Sequence, residues 1–482
     1  MRLRLAIAVA LAAAALAAPA QAAPVLEVGP DGAVLRNDPY LPPRAATDLP
    51  PVPHRAAARA RARPSAGTTV RQALDRALRA GAITAEEHAE WRAAYSSARR
   101  VRARLTGSRR AQLSAVIGTL QAIARADQLT AGRMPAVFLQ LQRNTEYWPS
   151  RPYPASGQRV SFAGSSLVFQ YYPGHGLQIQ PLANFGKANG LWRARRSERL
   201  RDLLDELVAI QSRRGRFTTW EYWFSFGGGS PPWMSAMAQG TAIQALSRGS
   251  QLLGDRSYLR IARSAIRAFS TRRPLGIRTA GRDGGNHYLI YSFAPGLRVL
   301  NAFAQTLNGL YDYATAAGHA RAMELFEKGD RSLRAELASY DTGAWTLYSL
   351  GGAEATLEYH ELASDFVANL CDRLATEPYC GTAARFDAYQ SEAPRLAVLT
   401  SRLVAGNLQY VRFTLSKRST VRMTITRGDE VVHSVSALAS YGTRSFAWTP
   451  SEPGDHTVTM SAESFNATQG SAGGTIAVRP KP

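Results

Sequence analysis

The sequence predicts a mainly α protein: an α/α toroid of helical hairpins, with an N-terminal helical segment and a C-terminal β-sandwich domain. Between residues 197 and 375, six segments repeat apolar residues at i, i+3 and i+4, the period of an amphipathic helix. The longer loops between them, such as TTWEYWFSFGGGSPPW, concentrate glycine and aromatic residues. After residue 392 the pattern changes to alternation between Gly, Pro and Asp turns, which is typical of strands. Helical hairpins with aromatic loops at one end favour a toroid.

The first residues, MRLRLAIAVALAAAALAAPAQAAP, have the pattern of a secretory signal peptide: two arginines, an apolar stretch and an Ala-Gln-Ala end. We expect it to comprise residues 1–23 and to be cleaved; a membrane anchor is the weaker interpretation because the apolar stretch is short. Residues 24–64 are rich in Pro, Ala and Arg and predict a disordered spacer. The mature protein is therefore expected to be secreted or in the cell envelope, without a stable membrane span.

An N-terminal helical unit is predicted for residues 65–150, which contain amphipathic segments at helical spacing. The first of these segments ends at Gly81, and glycine is favoured just after a helix C-terminus. Thr84 and Glu87 have the spacing of a capping box at the start of the next helix.

The toroid is expected to comprise residues 151–392, and residues 393–482 are expected to form an Ig-like β-sandwich. The sandwich could be a carbohydrate-binding module or a structural appendage, and the sequence leaves both open. Cys371 and Cys380 are nine residues apart and could close a disulfide in an oxidising compartment or stay free.

Lys and Arg outnumber Asp and Glu by 58 to 36, which gives a formal net charge of +22. Such a surplus can attract an anionic polymer, for example a polyuronate. Codon bias in a GC-rich genome also explains it, because only four of these cations are lysines. Export argues against nucleic acid, so the expected partner is an acidic polysaccharide. A homodimer is compatible with the sequence, which does not decide the oligomeric state.

Three tyrosines stand at predicted helix starts. Tyr359 begins the apolar stripe of its helix, three residues before Leu362. Tyr348 lies eleven residues earlier in a loop, and Tyr291 precedes the helix that opens at RVLNAF. In a toroid these starts face the same end, which suggests a tyrosine cluster. Aromatic residues at helix starts also occur as rim packing, so spacing alone leaves both interpretations open.

Other chemistries have less support from the residues. Several acids near the start of the last long helix could supply a glycoside hydrolase pair, but acids there are usually surface residues favoured by the helix dipole. The loop GRDGGNH lacks a Walker lysine and does not predict phosphate binding. No metal-ligand spacing or dinucleotide motif is present, so no cofactor is expected.

Five segments resemble the D-glucuronyl C5-epimerase C-terminal domain, in order, over residues 151–375. The strongest is PPWMSAMAQGTAIQALSRG, which is similar to the family's Gly-Trp-x-Ser-Ala-Met-Ala-Gln-Gly segment. The others, in chain order, are YYPGHGLQIQPLANFGKANGLW, VLNAFAQTLNGLYDY, YDTGAWTLYSL and YHELASDF. The resemblance implies an α/α toroid, the fold that the helical pattern also predicts.

The resemblance further implies an isomerase that inverts C5 of glucuronate residues in a polysaccharide such as heparosan or heparan sulfate, without a cofactor. The family's catalytic tyrosines correspond to Tyr291, Tyr348 and Tyr359. One phenol would remove the weakly acidic proton α to the carboxylate and another would return a proton to the opposite face, with nearby cations lowering the phenol pKa. The matched segments also imply substrate contacts from His360, Asn301, Asn184 and Gln239.

The chain departs from the family at two positions that matter chemically. Ile290 stands where the family has a glutamate, and Gly351 where it has an arginine that could hold a uronate carboxylate. Arg282 or Arg298 could replace that cation. Three functions remain: a C5-epimerase, a polysaccharide lyase that shares the deprotonation at C5, and a non-catalytic glycan-binding or cell-envelope protein. An unsaturated product would indicate the lyase, and glycan retention without turnover would indicate the binding protein.

Overall fold

The computed structural model describes residues 23–52 and 67–481. The predicted signal peptide lies outside the described residues except for Ala23, and so does the part of the predicted spacer from residue 53 onward. Within the described ranges, no helix combines the length and the apolar character needed to cross a bilayer.

A five-stranded sheet joins the N-terminal end of the described chain to the segment that precedes the helical hairpins. Its strands are β1 (Ala23–Gly29), β2 (Gly32–Asp38), β3 (Arg159–Phe162), β4 (Val168–Tyr172) and β5 (Gly176–Ile179). Their spatial order is β2-β1-β3-β4-β5, with β1 antiparallel to β2 and parallel to β3. The N-terminal hairpin is therefore part of a sheet that leads directly into the first hairpin helix.

The prediction of a disordered spacer is wrong for residues 24–52. The stretches VLEV and AVLRND are joined by the turn residues GPDG, and they pair as the β1–β2 hairpin. Val25 and Val28 are buried in the sheet, which offsets the entropy of ordering the strand. The prediction failed because composition was averaged over 24–64, where the Pro, Ala and Arg of the second half dominate.

Four helices make up the N-terminal helical unit: α1 (Val70–Arg79), α2 (Ala85–Arg104), α3 (Gly107–Arg125) and α4 (Met134–Tyr147). The capping box of α2 is present, because the Thr84 hydroxyl accepts from Glu87 N at 3.1 Å and the Glu87 carboxylate accepts from Thr84 N at 2.8 Å. Trp91 stacks on Phe138 with ring centroids 5.4 Å apart. Helices α3 and α4 pack on β5, so this unit and the sheet share one core.

The remaining helices form hairpins. They are α5 (Pro181–Arg193), α6 (Ser197–Ala209), α7 (Ala236–Leu253), α8 (Ser257–Ala265), α9 (Arg267–Ser270), α10 (Leu300–Ala317), α11 (Ala320–Glu336), α12 (Leu357–Leu374) and α13 (Tyr379–Ser391). Helices α5, α7, α10 and α12 pack side by side in that order, and α6, α8, α11 and α13 each pack on the helix before them. This row of hairpins is the repeating unit of an α/α toroid; the closed ring stays a prediction.

Glycines let the inner helices approach closely. A Cβ on Gly309 of α10 would lie 2.1 Å from Gly240 O of α7, and a Cβ on Gly240 would lie 2.8 Å from Thr306 Cα. Any side chain at these two positions would push the helices apart. Farther along the row, Cys371 of α12 and Cys380 of α13 form a disulfide, which settles the alternative that the sequence left open.

Two short hairpins interrupt the long loops: β6 (Ser212–Arg214) with β7 (Phe217–Thr219), and β8 (Arg278–Ala280) with β9 (Asn286–Tyr288). Tyr222, Phe224, Trp233 and Tyr291 of these loops lie in a hydrophobic cluster at the starts of α7, α10 and α12, whereas Trp220 belongs to the main core. The loops therefore build one end of the helical row, which is where the candidate site lies.

The prediction of a β-rich C-terminal region is confirmed. Its strands are β10 (Leu396–Val398), β11 (Arg402–Val404), β12 (Gln409–Leu415), β13 (Ser419–Arg427), β14 (Glu430–Ala439), β15 (Gly442–Trp448), β16 (Gly454–Ser464) and β17 (Gln469–Arg479). They form sheets of order β10-β12-β15 and β11-β17-β16-β13-β14 around their own core. Glu354, just before α12, accepts from Arg418 N at 2.7 Å and from Tyr441 N at 3.0 Å, which ties the two regions together.

Candidate active site

Two loops and the first turn of α12 bring the predicted catalytic tyrosines close together. Tyr359 lies in the first turn of α12, and its ring centroid is 5.0 Å from that of Tyr348. Tyr348 is fixed by backbone hydrogen bonds, from its own N to Ala353 O at 2.9 Å and from Leu300 N to its carbonyl at 3.4 Å. Tyr291 follows β9, and its pKa is raised first by burial and then by the nearby phenols of Tyr348 and Tyr359. The sequence prediction that these helix starts share one end of the fold therefore agrees with the geometry.

Tyr348 and Tyr359 line a small buried cavity, which we call the tyrosine cavity. Its walls come from the starts of α5, α7, α10 and α12, the segment after β9, and a segment near the N-terminus. The lining residues are Ala46, Asp48, Leu49, Pro50, Leu182, Tyr222, Ser235, Met237, Ile290, Asn301, Tyr348 and Tyr359. The cavity volume is about 10 Å³, which is roughly the space of a single water molecule. Sugar-sized ligands need far more room than this.

Aromatic rings support the cavity from behind. Trp233 stacks on Tyr222 with ring centroids 4.1 Å apart and planes 3° from parallel. Tyr291 meets Trp233 edge-on at 5.4 Å and stacks on Phe293 at 5.5 Å. Packed aromatic rings of this kind leave few rotamers open, so they hold the tyrosines in fixed positions.

The segment that covers the cavity is formed by residues 42–52, which we call the strap. Leu49 and Pro50 line the cavity, and the Tyr291 hydroxyl donates to Pro50 O at 2.9 Å. Val52 packs so closely on Gly227 that a Cβ there would lie 2.4 Å from Val52 Cγ2. The strap thus fills the space in front of the tyrosines with the chain's own residues.

Buried polar groups anchor the strap to the five-stranded sheet. The guanidinium of Arg159, a residue that is 2% exposed, donates to the Thr47 hydroxyl. Gln180 donates to Thr47 O at 3.0 Å, and Gln170 donates to the Asp48 carboxylate at 2.7 Å. Losing one of these acceptors would leave a buried donor unpaired, which costs roughly 1–3 kcal/mol. The closed position of the strap is therefore specifically stabilised.

The electrostatics of the closed cavity differ from what the resemblance implied. Burial raises the pKa of Tyr291 and Tyr348 well above the usual value, and burial followed by the Asp48 charge raises the pKa of Tyr359 to about 12. The expectation that cations lower these pKa values is wrong for this closed state, because Asp48 is the single charged residue in the described lining. The Tyr348 hydroxyl is buried and, among the described residues, has no hydrogen-bond partner. All three phenols are neutral here.

Of the four predicted substrate-binding residues, only Asn301 lies at the cavity. Asn184 instead bonds to the backbone N and O of Val168, each at 2.8 Å, and so fixes β4 to α5. Gln239 donates to Thr218 O at 2.9 Å and to a second backbone carbonyl at 3.2 Å. The predicted contacts of Asn184 and Gln239 with substrate are therefore corrected: both side chains satisfy buried backbone groups.

His360 is likewise a structural residue. Its ring stacks on Trp345 with centroids 3.7 Å apart, and its nitrogens contact Thr346 Oγ1 and Phe386 O, each at 2.9 Å. One residue beyond Tyr359 is about 100° around the helix, so the ring points toward α13 and not into the cavity. Burial lowers the pKa of His360 to about 4, so the imidazole is neutral. The prediction that His360 orients Tyr359 or binds a carboxylate is corrected accordingly.

Neither replacement for the family's arginine reaches the cavity lining. Arg298 pairs with the buried carboxylate of Glu336 at 2.9 Å and donates to Ala280 O at 3.1 Å, and Arg282 is exposed. The sequence reasoning missed Asp48, Leu49 and Pro50, which are separated from the tyrosines by more than 200 residues.

The family comparison agrees with the resemblance. Residues 214–387 match the family model described as D-glucuronyl C5-epimerase C-terminus. The D-glucuronyl C5-epimerase of Caenorhabditis elegans is 36% identical over 132 residues, which is 25% of this chain and 21% of that protein. An uncharacterised protein of Methanocaldococcus jannaschii is 27% identical over 163 residues, 33% of this chain and 53% of that protein. The chain spans less than two thirds of the length of either relative.

Among solved structures, a sugar epimerase from a ruminal bacterium is 13% identical and covers 44% of this chain and 59% of its own, with a TM-score of 0.32. The unsaturated glucuronyl hydrolase of Bacillus sp. GL1 is 14% identical and covers 44% of this chain and 62% of its own, with a TM-score of 0.31. All three candidate tyrosines lie inside residues 214–387, the region that matches the family model described as D-glucuronyl C5-epimerase C-terminus.

Proposed function

We propose that the protein is a sugar epimerase that inverts C5 of uronate residues in an acidic polysaccharide, with Tyr291, Tyr348 and Tyr359 as its acid/base groups. The observation that supports this most is their proximity inside the family-matched region: Tyr348 and Tyr359 line one buried cavity, and the Tyr291 hydroxyl donates to Pro50 O in its wall. Export, proposed from residues 1–23, would deliver the enzyme to such polymers.

The roles of the tyrosines follow from their surroundings. Tyr359, whose pKa is raised to about 12 by burial and then by the Asp48 charge, is only partly buried at the start of α12 and lines the cavity, so we assign it as the base. Its phenolate would take the C5 proton, and the electron pair of the broken C–H bond would pass into the uronate carboxylate as an enolate. Tyr348, whose buried hydroxyl has no partner in the described chain, would return a proton to the opposite face. Proton exchange with water would then restore both groups.

The strap has to move before a sugar can bind. A cavity of about 10 Å³ is far below the roughly 300–1,000 Å³ of ordinary ligand pockets. Displacing Leu49 and Pro50 would open the space in front of the tyrosines and release the Tyr291 hydroxyl from Pro50 O. Water entering with the substrate would reduce the desolvation that raises the phenol pKa values. Opening thus supplies both the space and the acidity that the proposed reaction needs.

A glycan-binding protein without turnover is the second candidate. It is favoured by the lining of the closed cavity, which contributes no cation from the described residues to stabilise an enolate. A lyase would use the same deprotonation and then expel the 4-O-linked sugar.

Deuterium exchange at C5 separates the three candidates. The purified protein is incubated in D2O with heparosan and other uronans, and C5 deuterium is measured by NMR or mass spectrometry. An epimerase incorporates deuterium and produces both C5 configurations, and the signal is lost in Tyr348→Phe and Tyr359→Phe. Tyr258→Phe is the matched control, because that buried phenol bonds to Asp205 on the outer helices, away from the cavity. An unsaturated product identifies a lyase, and retention of glycan without exchange on any uronan rejects the epimerase.

A further inference from the structure

A second concave site lies beside the β8–β9 hairpin. Its walls are formed by Arg272, Arg273, Arg278 and Asn286 together with the glycines of the hairpin loop, and its volume is about 550 Å³. We call it the arginine groove. Its volume is in the ordinary range for ligand pockets, and it shares no lining residue with the tyrosine cavity.

The three guanidinium groups of the groove lack acidic partners within the described chain. Neighbouring arginines behave differently: Arg214 pairs with Glu221 at 2.6 Å, and Arg298 pairs with Glu336 at 2.9 Å. The Nε of Arg278 is buried and, counting all described residues, has no hydrogen-bond acceptor. Nε of four other arginines in the described chain also lacks an acceptor, so the groove is distinguished by its three neighbouring guanidinium groups without acidic partners and not by this donor alone.

The groove is held by a rigid frame. Arg278 pairs with Tyr288 across the β8–β9 hairpin, and Arg273 N donates to Arg278 O at 3.1 Å. A Cβ on Gly285 would lie 2.5 Å from Lys328 O, so the hairpin loop rests directly on α11. The backbone around the arginines is therefore fixed before any ligand binds, which lowers the entropy cost of binding.

We infer that the arginine groove binds a carboxylate-bearing sugar residue of the same acidic polysaccharide whose reacting residue enters the tyrosine cavity. Guanidinium forks match carboxylates in a bidentate manner. The inference rests on the proposed function for its choice of a polysaccharide. It also rests on position: Tyr291 is five positions after Asn286, so their Cα atoms are at most about 17 Å apart at 3.3 Å per residue. A single polymer chain can span that distance and contact both sites.

The test measures binding of a glucuronate-bearing heparosan octasaccharide to the full chain by calorimetry. Replacing Arg272, Arg273 and Arg278 by glutamine is expected to weaken binding by about tenfold for each guanidinium that contacts a carboxylate. The matched control replaces Arg99, Arg100 and Arg104, which are exposed on α2, by glutamine. These three substitutions remove the same formal charge as the three in the groove. Equal losses in the two triple variants would overturn the site, since net charge alone would then explain binding.

Two further measurements complete the test. Arg278→Lys keeps the positive charge but loses the planar guanidinium that binds a carboxylate through two hydrogen bonds. Its affinity for the octasaccharide should therefore lie between that of the unchanged protein and that of Arg278→Gln. Single-stranded DNA of equal charge is expected to bind more weakly than the octasaccharide; binding that is as tight and equally dependent on the groove would indicate a general polyanion site and overturn the assignment to a polysaccharide.

The outcome is separable from that of the proposed function. If C5 exchange is present, groove variants should raise KM for the polymer and leave kcat unchanged, because the groove touches no reacting atom. If no uronan shows C5 exchange while octasaccharide binding still depends on the groove, the epimerase proposal fails and the groove stands. If C5 exchange occurs and the groove variants change neither its KM nor octasaccharide binding, the groove proposal fails while the epimerase proposal stands.

Discussion

The tyrosine cavity and the arginine groove differ in volume, in exposure to solvent and in the charge of the residues that line them. The cavity is closed at about 10 Å³, is lined by phenols and apolar side chains, and has Asp48 as the single charge in its described lining. The groove is open at about 550 Å³ and is lined by three arginines without acid partners in the described chain. The proposed proton-transfer groups and the proposed anion-binding groups are therefore separated, although Asn286 of the groove and Ile290 of the cavity are joined through β9.

This separation has a physical reason. Burying a charged guanidinium in the cavity without a substrate would have a large unfavourable desolvation free energy, whereas burying a neutral phenol has a much smaller one. Placing the cations in an open groove lets them attract an anionic polymer while hydrated. The consequence is that the enolate in the cavity would depend on hydrogen bonds and on water admitted by strap opening, so turnover should be slow relative to binding.

The largest expected effect is the loss of a cavity phenol. Tyr359→Phe keeps the ring that packs on Tyr348 but removes the proposed base, so C5 deuterium exchange should fall by about 10²–10⁴-fold. Octasaccharide affinity should change less than twofold, because the groove is intact. If Tyr359→Phe keeps the C5 deuterium exchange of the unchanged protein, another group takes the C5 proton, and the assignment of Tyr359 in the cavity as the base is wrong.

The sequence could predict the tyrosine cluster because the signal was local. Each tyrosine precedes an amphipathic helix, and the hairpin pattern places helix starts at one end. The strap could not be predicted in this way, since the Tyr291 contact with Pro50 joins residues 241 positions apart. Asn184, Gln239 and His360 were assigned to substrate because a motif gives residue identity and not side-chain direction. The groove was hidden for a different reason: with 58 basic residues, sequence does not distinguish the arginines that lack partners.

The next effect concerns stability and tests the reassignment of His360. Its pKa falls from 6.5 to about 4 in the folded protein, so below pH 6.5 the unfolded chain takes up a proton that the folded chain does not. The free energy of unfolding should therefore drop as the pH falls from 6.5 to about 4, by about 3 kcal/mol at most. Urea unfolding across this range should show a shallower drop for His360→Gln than for the unchanged protein.

The same variant, His360→Gln, also tests whether His360 has a structural role or takes part in the reaction. At neutral pH and a temperature where it is folded, His360→Gln should keep the C5 exchange rate within about threefold, because the ring faces Phe386 and not the cavity. A shift in the pH profile of exchange, with stability unchanged, would return His360 to the site.

A smaller effect should come from loosening the strap. Leu49→Ala removes apolar contact with the cavity wall, about 1–2 kcal/mol for a half-buried leucine, so the open form should become about tenfold more populated. C5 exchange should rise by up to that factor, and amide hydrogen exchange in residues 46–52 should accelerate. Leu35→Ala is the matched control, because that leucine is exposed on β2. A fall in exchange with a raised KM would instead make the strap part of the substrate-binding wall.

The smallest effect is electrostatic and separates the two causes of the high pKa of Tyr359. Burial is the larger cause and the Asp48 charge the smaller, so Asp48→Asn should lower the pKa of Tyr359 from about 12 without bringing it to 10. Ultraviolet titration of the phenolate, with Tyr359→Phe subtracted to isolate this group, measures the shift. Combining Asp48→Asn with Leu49→Ala should lower the pKa further, because opening the strap hydrates the phenol. If Asp48→Asn alone restores the ordinary value, charge and not burial controls the cavity, and strap opening would then supply space but not acidity.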